Sequence, residues 1–185
     1  MIIAQQKEKE NIAEYILYMW QIEDIIRSNE FDLQRINQTV IDKFQVDRET
    51  KLNMKLWYQN LIEMMMKENL ADSGHLKLTT RYIDQLQDLH HQLLTTFNDR
   101  KYQELFFKAK DNINAFTIKA GKSYRNDIDA AFHALYSIIL LKLKGKKITP
   151  ETQEAIDTIR QMIAYLSAQF NKKREGKITL PKQQN

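Results

Sequence analysis

The chain has 185 residues, a net charge of +4 at pH 7, no Cys, four Gly and two Pro. The absence of Cys excludes disulfides and thiolate chemistry and is compatible with a reducing cytoplasm. Scarce Gly and Pro argue against sheets and turn-rich folds and favour long helices. From residue 142 onward ten Lys/Arg stand against four Asp/Glu, so this part is basic and the remainder carries a charge of −2.

Hydrophobic periodicity predicts six or seven helices separated by short polar breaks. Each break offers residues that begin or end helices: Asp32, Asp47, Asp99 and Thr149 as N-caps, and Gly74, Gly121 and Gly145 as stops. In chain order the predicted helices cover residues 8–28, 32–44, 47–69, 82–97, 99–120, 126–144 and 150–171.

Two of these helices, residues 8–28 and 126–144, are apolar on most sides. Each keeps only a thin polar line, which in the second helix runs through Asp129, His133 and Ser137. Because such helices must be covered on most sides, we expect them at the centre of a bundle. The sequence therefore predicts an all-α, single-domain bundle of mostly antiparallel helices over residues 1–171. Residues 172–185 lack an apolar stripe and are predicted to form a basic tail, extended or frayed.

Membrane and export signals are not evident in the sequence. The most apolar run, residues 130–141, is shorter than the roughly 18 residues that cross a bilayer. The first residues turn charged too early for the apolar region of a signal peptide. We therefore expect a cytoplasmic protein with no membrane association.

An acid and a base interrupt the apolar surface of the first helix. Glu23 and Arg27 are four residues apart with the acid first, which is the favourable order for a pair on one helix face. Burial of a carboxylate requires such a partner. One interpretation is a structural ion pair at the edge of the core. The other is a polar pocket for a small ligand, lined by Tyr15, Trp20, Glu23, Asp24 and Arg27.

The segment that carries this pair, NIAEYILYMWQIEDIIR at residues 11–27, resembles the opening of a bacterial protein family catalogued as domain of unknown function 4924. The resemblance implies an all-helical fold of similar length and a bacterial, cytoplasmic protein. It implies no activity, cofactor or catalytic residue.

Three consecutive methionines, Met64, Met65 and Met66, point in three directions from one helix and cannot all face one core. Exposed Met suits an adaptable partner surface. Together with Trp57 they predict an interface for a second copy of the chain or for another protein. The alternative is that neighbouring helices cover all of them.

Metal, catalytic and nucleic-acid sites have weaker support. Asp84, Asp88 and His91 share a helix face and Asp129 precedes His133 by four residues, yet no paired Glu-x-x-His motif accompanies them, so we expect no metal. No nucleophile motif or phosphate-binding loop is present. Basic side chains near both ends of the last helix form two groups rather than one stripe, so nucleic-acid binding is only a third alternative. These are Lys142, Lys144, Lys146, Lys147, Lys172, Lys173, Arg174 and Lys177.

Taken together, these features predict a non-catalytic helical interaction or scaffolding protein without a cofactor. The second hypothesis is a ligand-binding protein or enzyme that uses a pocket near Glu23 and Arg27.

Overall fold

The computed structural model describes residues 2–177, in which every regular element is a helix. The all-α prediction is therefore confirmed, although the described chain has eight α-helices rather than six or seven, with one additional 3-10 helix. The α-helices are α1 (Ile2–Glu10), α2 (Ile12–Ser28), α3 (Leu33–Thr39), α4 (Arg48–Lys67), α5 (Lys77–Leu94), α6 (Arg100–Ala120), α7 (Asp127–Leu143) and α8 (Pro150–Arg174), and the 3-10 helix is Ile41–Lys43.

The extra helix arises because the first predicted helix is divided at Asn11. The Asn11 side chain accepts a hydrogen bond from the backbone N–H of Ala13 at 3.1 Å, as an N-cap does. It also accepts one from the hydroxyl of Ser167 at 2.8 Å. The helix predicted from residue 8 is thus wrong at its start, because a local cap ends α1 and begins α2.

The four predicted N-caps are confirmed. Each side chain accepts a hydrogen bond from a backbone N–H in the first turn of its helix, at distances of 2.7 to 3.3 Å. These caps are Asp32, Asp47, Asp99 and Thr149. At the other end of α6, Gly121 takes the left-handed conformation (φ 61°) that terminates the helix.

The two most apolar helices are the most completely buried, as predicted. In each of α2 and α7, nine of 17 residues are buried. One polar residue departs from the expectation: Asp129 of α7 was placed on a solvated line but is only 6% exposed. Its carboxylate accepts the backbone N–H of Arg125 at 3.1 Å, which supports its burial.

The end of α8 also differs from the expectation. Lys172, Lys173 and Arg174 form its last turn rather than an extended tail. Basic side chains in this position are favoured because the carboxyl end of a helix carries partial negative charge. Residues 178–185 of the predicted tail lie outside the described residues.

Backbone contacts divide the chain into two compact units. The first unit contains residues 14–81 together with the stretch before Asn11, and the second contains residues 11–13 with the chain from Tyr82 onward. In the first unit, α3 and the 3-10 helix pack against α4. In the second, α6 packs against both α7 and α8, and α7 packs against α8. Among residues 2–177 there is no helix with both the length and the apolar character that a membrane crossing requires.

Candidate functional site

The first candidate place is the acid–base pair of α2, where Glu23 is completely buried. One carboxylate oxygen accepts the backbone N–H of Leu76 at 3.1 Å. The other lies 2.7 Å from Nδ1 of His75. Because a carboxylate oxygen only accepts, the ring N–H of His75 is the donor in this contact. The buried charge is therefore held by two groups from the segment between α4 and α5.

Arg27 lies in the same place but makes most of its bonds elsewhere. Its guanidinium is 4.0 Å from Glu23 Oε2, so the predicted pair exists at the limit of an ion pair. A shorter contact, 2.8 Å, joins it to Asp24. It also donates to the backbone carbonyl of Leu70 at 3.1 Å and to that of Gly74. The arginine thus fastens the same segment that Glu23 holds.

The aromatic side chains predicted to line a pocket belong to the core. Trp20 is completely buried and Tyr15 is 4% exposed. The indole of Trp20 stacks on the His75 ring, with centroids 3.8 Å apart and planes inclined by 8°. We refer to Trp20, Glu23, Arg27 and His75 as the Glu23 cluster. The Glu23 carboxylate and the Arg27 guanidinium bond to residues 70–76, which favours the structural interpretation over a ligand pocket.

No sequence pattern pointed to His75, although the predicted burial of Glu23 indicated that the carboxylate needs a partner. His75 is 52 residues from Glu23 along the chain, so no helical spacing joins them. The predicted burial of Glu23 indicated that further hydrogen-bond donors lie nearby, because a buried carboxylate requires more donors than one arginine four residues away supplies.

The methionine run is only partly exposed. Met65 is completely buried in the core, so its assignment to an interface is wrong, whereas Met66 is 63% exposed. Met64 and Trp57 are half-buried. The residue that follows Trp57, Tyr58, is buried.

The basic side chains lie at the two ends of α8, as the sequence indicated. A helix of 25 residues separates the groups by roughly 37 Å at 1.5 Å per residue. Both groups are exposed. In the second group Lys173 donates to Gln92 at 3.0 Å, and Arg174 lies over the Phe170 ring. Nucleic-acid binding through these groups stays a prediction.

The carboxylates and histidines considered as metal ligands have protein partners. Asp84 pairs with Arg125 at 2.7 Å, and His91 is 2.8 Å from Gln87. Asp129 lies 3.8 Å from His133. Within residues 2–177, no three His, Asp or Glu side chains come together as a group that could hold a metal ion.

A buried histidine that the sequence did not single out lies in the second unit. His90 is 2% exposed, and its Nδ1 is 2.6 Å from the hydroxyl of Tyr102. Burial and, to a smaller extent, the nearby His91 together lower the pKa of His90 to about 4, and Asp127 opposes both. Burial also raises the pKa of Tyr102, so at neutral pH this hydrogen bond joins a neutral hydroxyl and a neutral imidazole.

The second unit contains a cleft between α6, α7 and α8, with a volume of about 610 Å³. We call it the α6–α8 cleft. Phe116 and Tyr124 stack at one wall, with centroids 5.6 Å apart. Four alanines line it, two from α6 and one each from α7 and α8. The apolar lining residues are Ala115, Phe116, Ala120, Tyr124, Ala134, Ile138, Leu141, Ala155, Ile156 and Ile159.

Polar side chains in these walls are largely occupied by the protein itself. Asn112 of α6 donates to Thr158 of α8 at 2.9 Å, and the Ser137 hydroxyl donates to the carbonyl of His133 at 2.8 Å. The remaining charged groups of the lining are Lys119, Lys122 and Glu151. The α6–α8 cleft therefore combines an apolar interior with a charged rim. None of its residues was a sequence-based candidate, because three separate helices contribute them.

Comparison with known proteins places the chain in a family without an assigned activity. No curated protein and no solved structure matches it. One family profile covers residues 1–177, nearly the whole chain, and agrees with the resemblance of the N-terminal segment. The chain belongs to the family described as domain of unknown function DUF4924.

Proposed function

We propose that this protein is a non-catalytic binding protein that holds a small, largely apolar molecule in the α6–α8 cleft. The observation that carries this proposal is the cleft itself, which has a volume of about 610 Å³ and walls that are mostly alanine, isoleucine and aromatic side chains. Small-molecule sites typically measure roughly 300–1,000 Å³ and are lined by apolar residues with few polar groups.

Two further features support binding in this cleft. Its walls come from three helices that pack on one another, so the cleft does not depend on a single loop. An apolar ligand would also remove apolar wall surface from water, which is the dominant favourable term in such binding. Binding rather than catalysis is proposed because the wall amide and hydroxyl of Asn112 and Ser137 are engaged within the protein.

The test is a titration with N-phenyl-1-naphthylamine, a neutral apolar dye whose emission rises in apolar surroundings. Ala155 lines the cleft from α8, so Ala155→Phe fills part of it. The added phenyl ring occupies space that the dye would otherwise fill, so we expect this variant to bind the dye about ten-fold more weakly. The matched control is Ala168→Phe, which adds the same side chain at an exposed position of α8. Equal dye binding by both variants would exclude the cleft as the site.

A second function is favoured by the outer face of α4. Leu52, Leu56 and Met66 are 56%, 50% and 63% exposed. With Gln59 and Glu63 they follow spacings of four, three, four and three residues, which is the spacing of a coiled-coil seam, with apolar side chains at three of its five positions. The surface complementary to such a seam is another helix with the same seam. We therefore propose a second copy of the chain as the occupant of this α4 stripe.

Light scattering across protein concentrations tests this second function. The seam contains Gln59 and Glu63, so we expect a weak dimer that Leu56→Lys converts to monomer. Leu143→Lys is the control, because Leu143 is 71% exposed and lies on α7, outside the stripe. A wild-type chain that stays monomeric at the highest concentration would contradict the proposal.

The cellular setting is also a proposal. We propose a bacterial, cytoplasmic protein, supported by the family resemblance and by a sequence without Cys, which suits a reducing compartment. Fractionation of the source cells with an antibody against the chain tests it, and recovery in a membrane or exported fraction would contradict it.

A further inference from the structure

The rim of the α6–α8 cleft carries two lysines without partners in the described chain. Lys119 is in the last turn of α6 and Lys122 follows Gly121 in the connection to α7. Both line the cleft and both are exposed. Among residues 2–177 neither ammonium group forms an ion pair or a side-chain hydrogen bond. Two free positive charges therefore border an apolar space.

The acid at the same rim is already engaged by its own helix. Glu151 stands in the first turn of α8, one residue after Pro150. Its pKa is lowered by a hydrogen bond from its own backbone N–H and by one from the Thr149 hydroxyl. The amino end of a helix carries partial positive charge, which offsets this carboxylate further. Glu151 is therefore less available than the lysines to a group that enters the cleft.

We propose that the ligand of the α6–α8 cleft is an amphipathic carboxylate, an inference that rests on the proposed function. Its apolar body lies among the alanines and isoleucines of the three helices. Its carboxylate lies at the rim, where Lys119 and Lys122 bind it. An ammonium group is a compact donor that reaches an anion from a flexible stem, so two of them accept a carboxylate without a rigid cradle.

Another explanation of these lysines is local. Cations near the carboxyl end of α6 stabilise the helix by interacting with the partial negative charge there, whether or not a ligand binds. The two explanations differ in what the lysines do to affinity. A purely local role leaves the affinity for an anion unchanged when the charges are removed, whereas the proposed role lowers it.

The experiment measures displacement of N-phenyl-1-naphthylamine by three probes of equal chain length: decanoate, decan-1-ol and decyltrimethylammonium. Naphthalene-2-carboxylate serves as a second anion and distinguishes an aromatic from an aliphatic body. The proteins are the full wild-type chain, the double variant Lys119→Gln/Lys122→Gln, and Lys110→Gln. Lys110 is an exposed residue of α6 outside the cleft lining, so it controls for the general loss of positive charge.

We expect the wild-type chain to prefer decanoate to decan-1-ol, and the cationic probe to bind most weakly. One exposed ion pair corresponds to about a 1.4-fold to five-fold change in affinity. Loss of both lysines should therefore weaken decanoate binding by roughly two-fold to 25-fold. The double variant should bind decan-1-ol as the wild type does, and Lys110→Gln should keep the preference for decanoate.

Three outcomes overturn the inference, and they can be told apart. If the double variant binds decanoate as tightly as the wild-type chain does, the lysines have only the local role and the carboxylate inference fails. If decanoate and decan-1-ol bind equally well to the wild-type chain and Ala155→Phe weakens both, the carboxylate inference fails while the proposed binding function stands. If neither the dye nor any probe binds the wild-type chain, the inference and the proposed function fail together.

Discussion

The sharpest prediction for the fold concerns removal of the buried carboxylate of Glu23. Glu23→Ala leaves the backbone N–H of Leu76 without its acceptor at 3.1 Å and His75 without its partner at 2.7 Å. An unsatisfied buried donor costs about 1–3 kcal/mol, and a hydrogen bond to a charged group contributes about 1.5–3 kcal/mol. Arg27 also loses the carboxylate 4.0 Å away. We expect a loss of about 3–5 kcal/mol in the free energy of unfolding, as for other broken buried pairs.

Urea unfolding measures this loss, followed by tryptophan fluorescence and by circular dichroism. Hydrogen exchange at the amide of Leu76 gives an independent local measurement, because that amide should lose protection. Glu23→Gln keeps an acceptor oxygen but loses the charge, so we expect a smaller loss. The control is Glu14→Ala on the same helix, whose exposed pair with Lys7 should contribute at most about 1 kcal/mol. If Glu23→Ala costs below about 1 kcal/mol and leaves Leu76 protected, the carboxylate does not hold this segment.

Two further predictions concern pH and backbone conformation. The pKa of His90 falls from 6.5 to about 4 on folding, so the unfolded chain binds more protons within this window. Stability is therefore lost as the pH falls from about 6.5 towards 4, and this residue accounts for about 2 kcal/mol of the loss at pH 5. Urea unfolding at pH 7 and pH 5 measures the loss, which should be smaller in His90→Asn than in the wild-type chain. An equal loss in the two proteins would contradict the role of His90. Gly74 has φ 92° and an added Cβ would lie 3.0 Å from the Leu70 side chain, whereas a Cβ at Gly121 (φ 61°) meets nothing within 4 Å. A residue other than Gly pays about 1–2 kcal/mol for a left-handed backbone. Thermal unfolding should therefore show a loss of stability in Gly121→Ala and a larger loss in Gly74→Ala. Equal losses would show that the contact with Leu70 is unimportant.

Part of the Glu23 cluster was predictable because three of its members, Trp20, Glu23 and Arg27, share one helix. The spacing of Glu23 and Arg27 placed them on one face, and the apolar surroundings predicted that the acid is buried. Their actual partners were not predictable in the same way. His75, Leu76 and the carbonyl of Leu70 approach from another part of the first unit. Whether Glu23 and Arg27 line a ligand pocket or hold residues 70–76 in place depends on these contacts, which join residues distant in sequence.

The sequence by itself determined the features that depend on neighbouring residues. Side chains at Asp32, Asp47, Asp99 and Thr149 cap the helices that follow them, because a cap and its donors lie within three residues of each other. The strong apolar character of α2 and α7 likewise indicated their burial, because apolar surface on most sides of a helix must be covered.

Tertiary structure alone decided which polar groups became buried and where open space remained. Burial of Met65 but not Met66, the contact of His90 with Tyr102, and the α6–α8 cleft each depend on how helices distant in sequence pack. Helical periodicity assigns a residue to a face, but a neighbouring element either covers that face or leaves it open. For this protein the local sequence therefore determined the helices, and packing between them decided the candidate site.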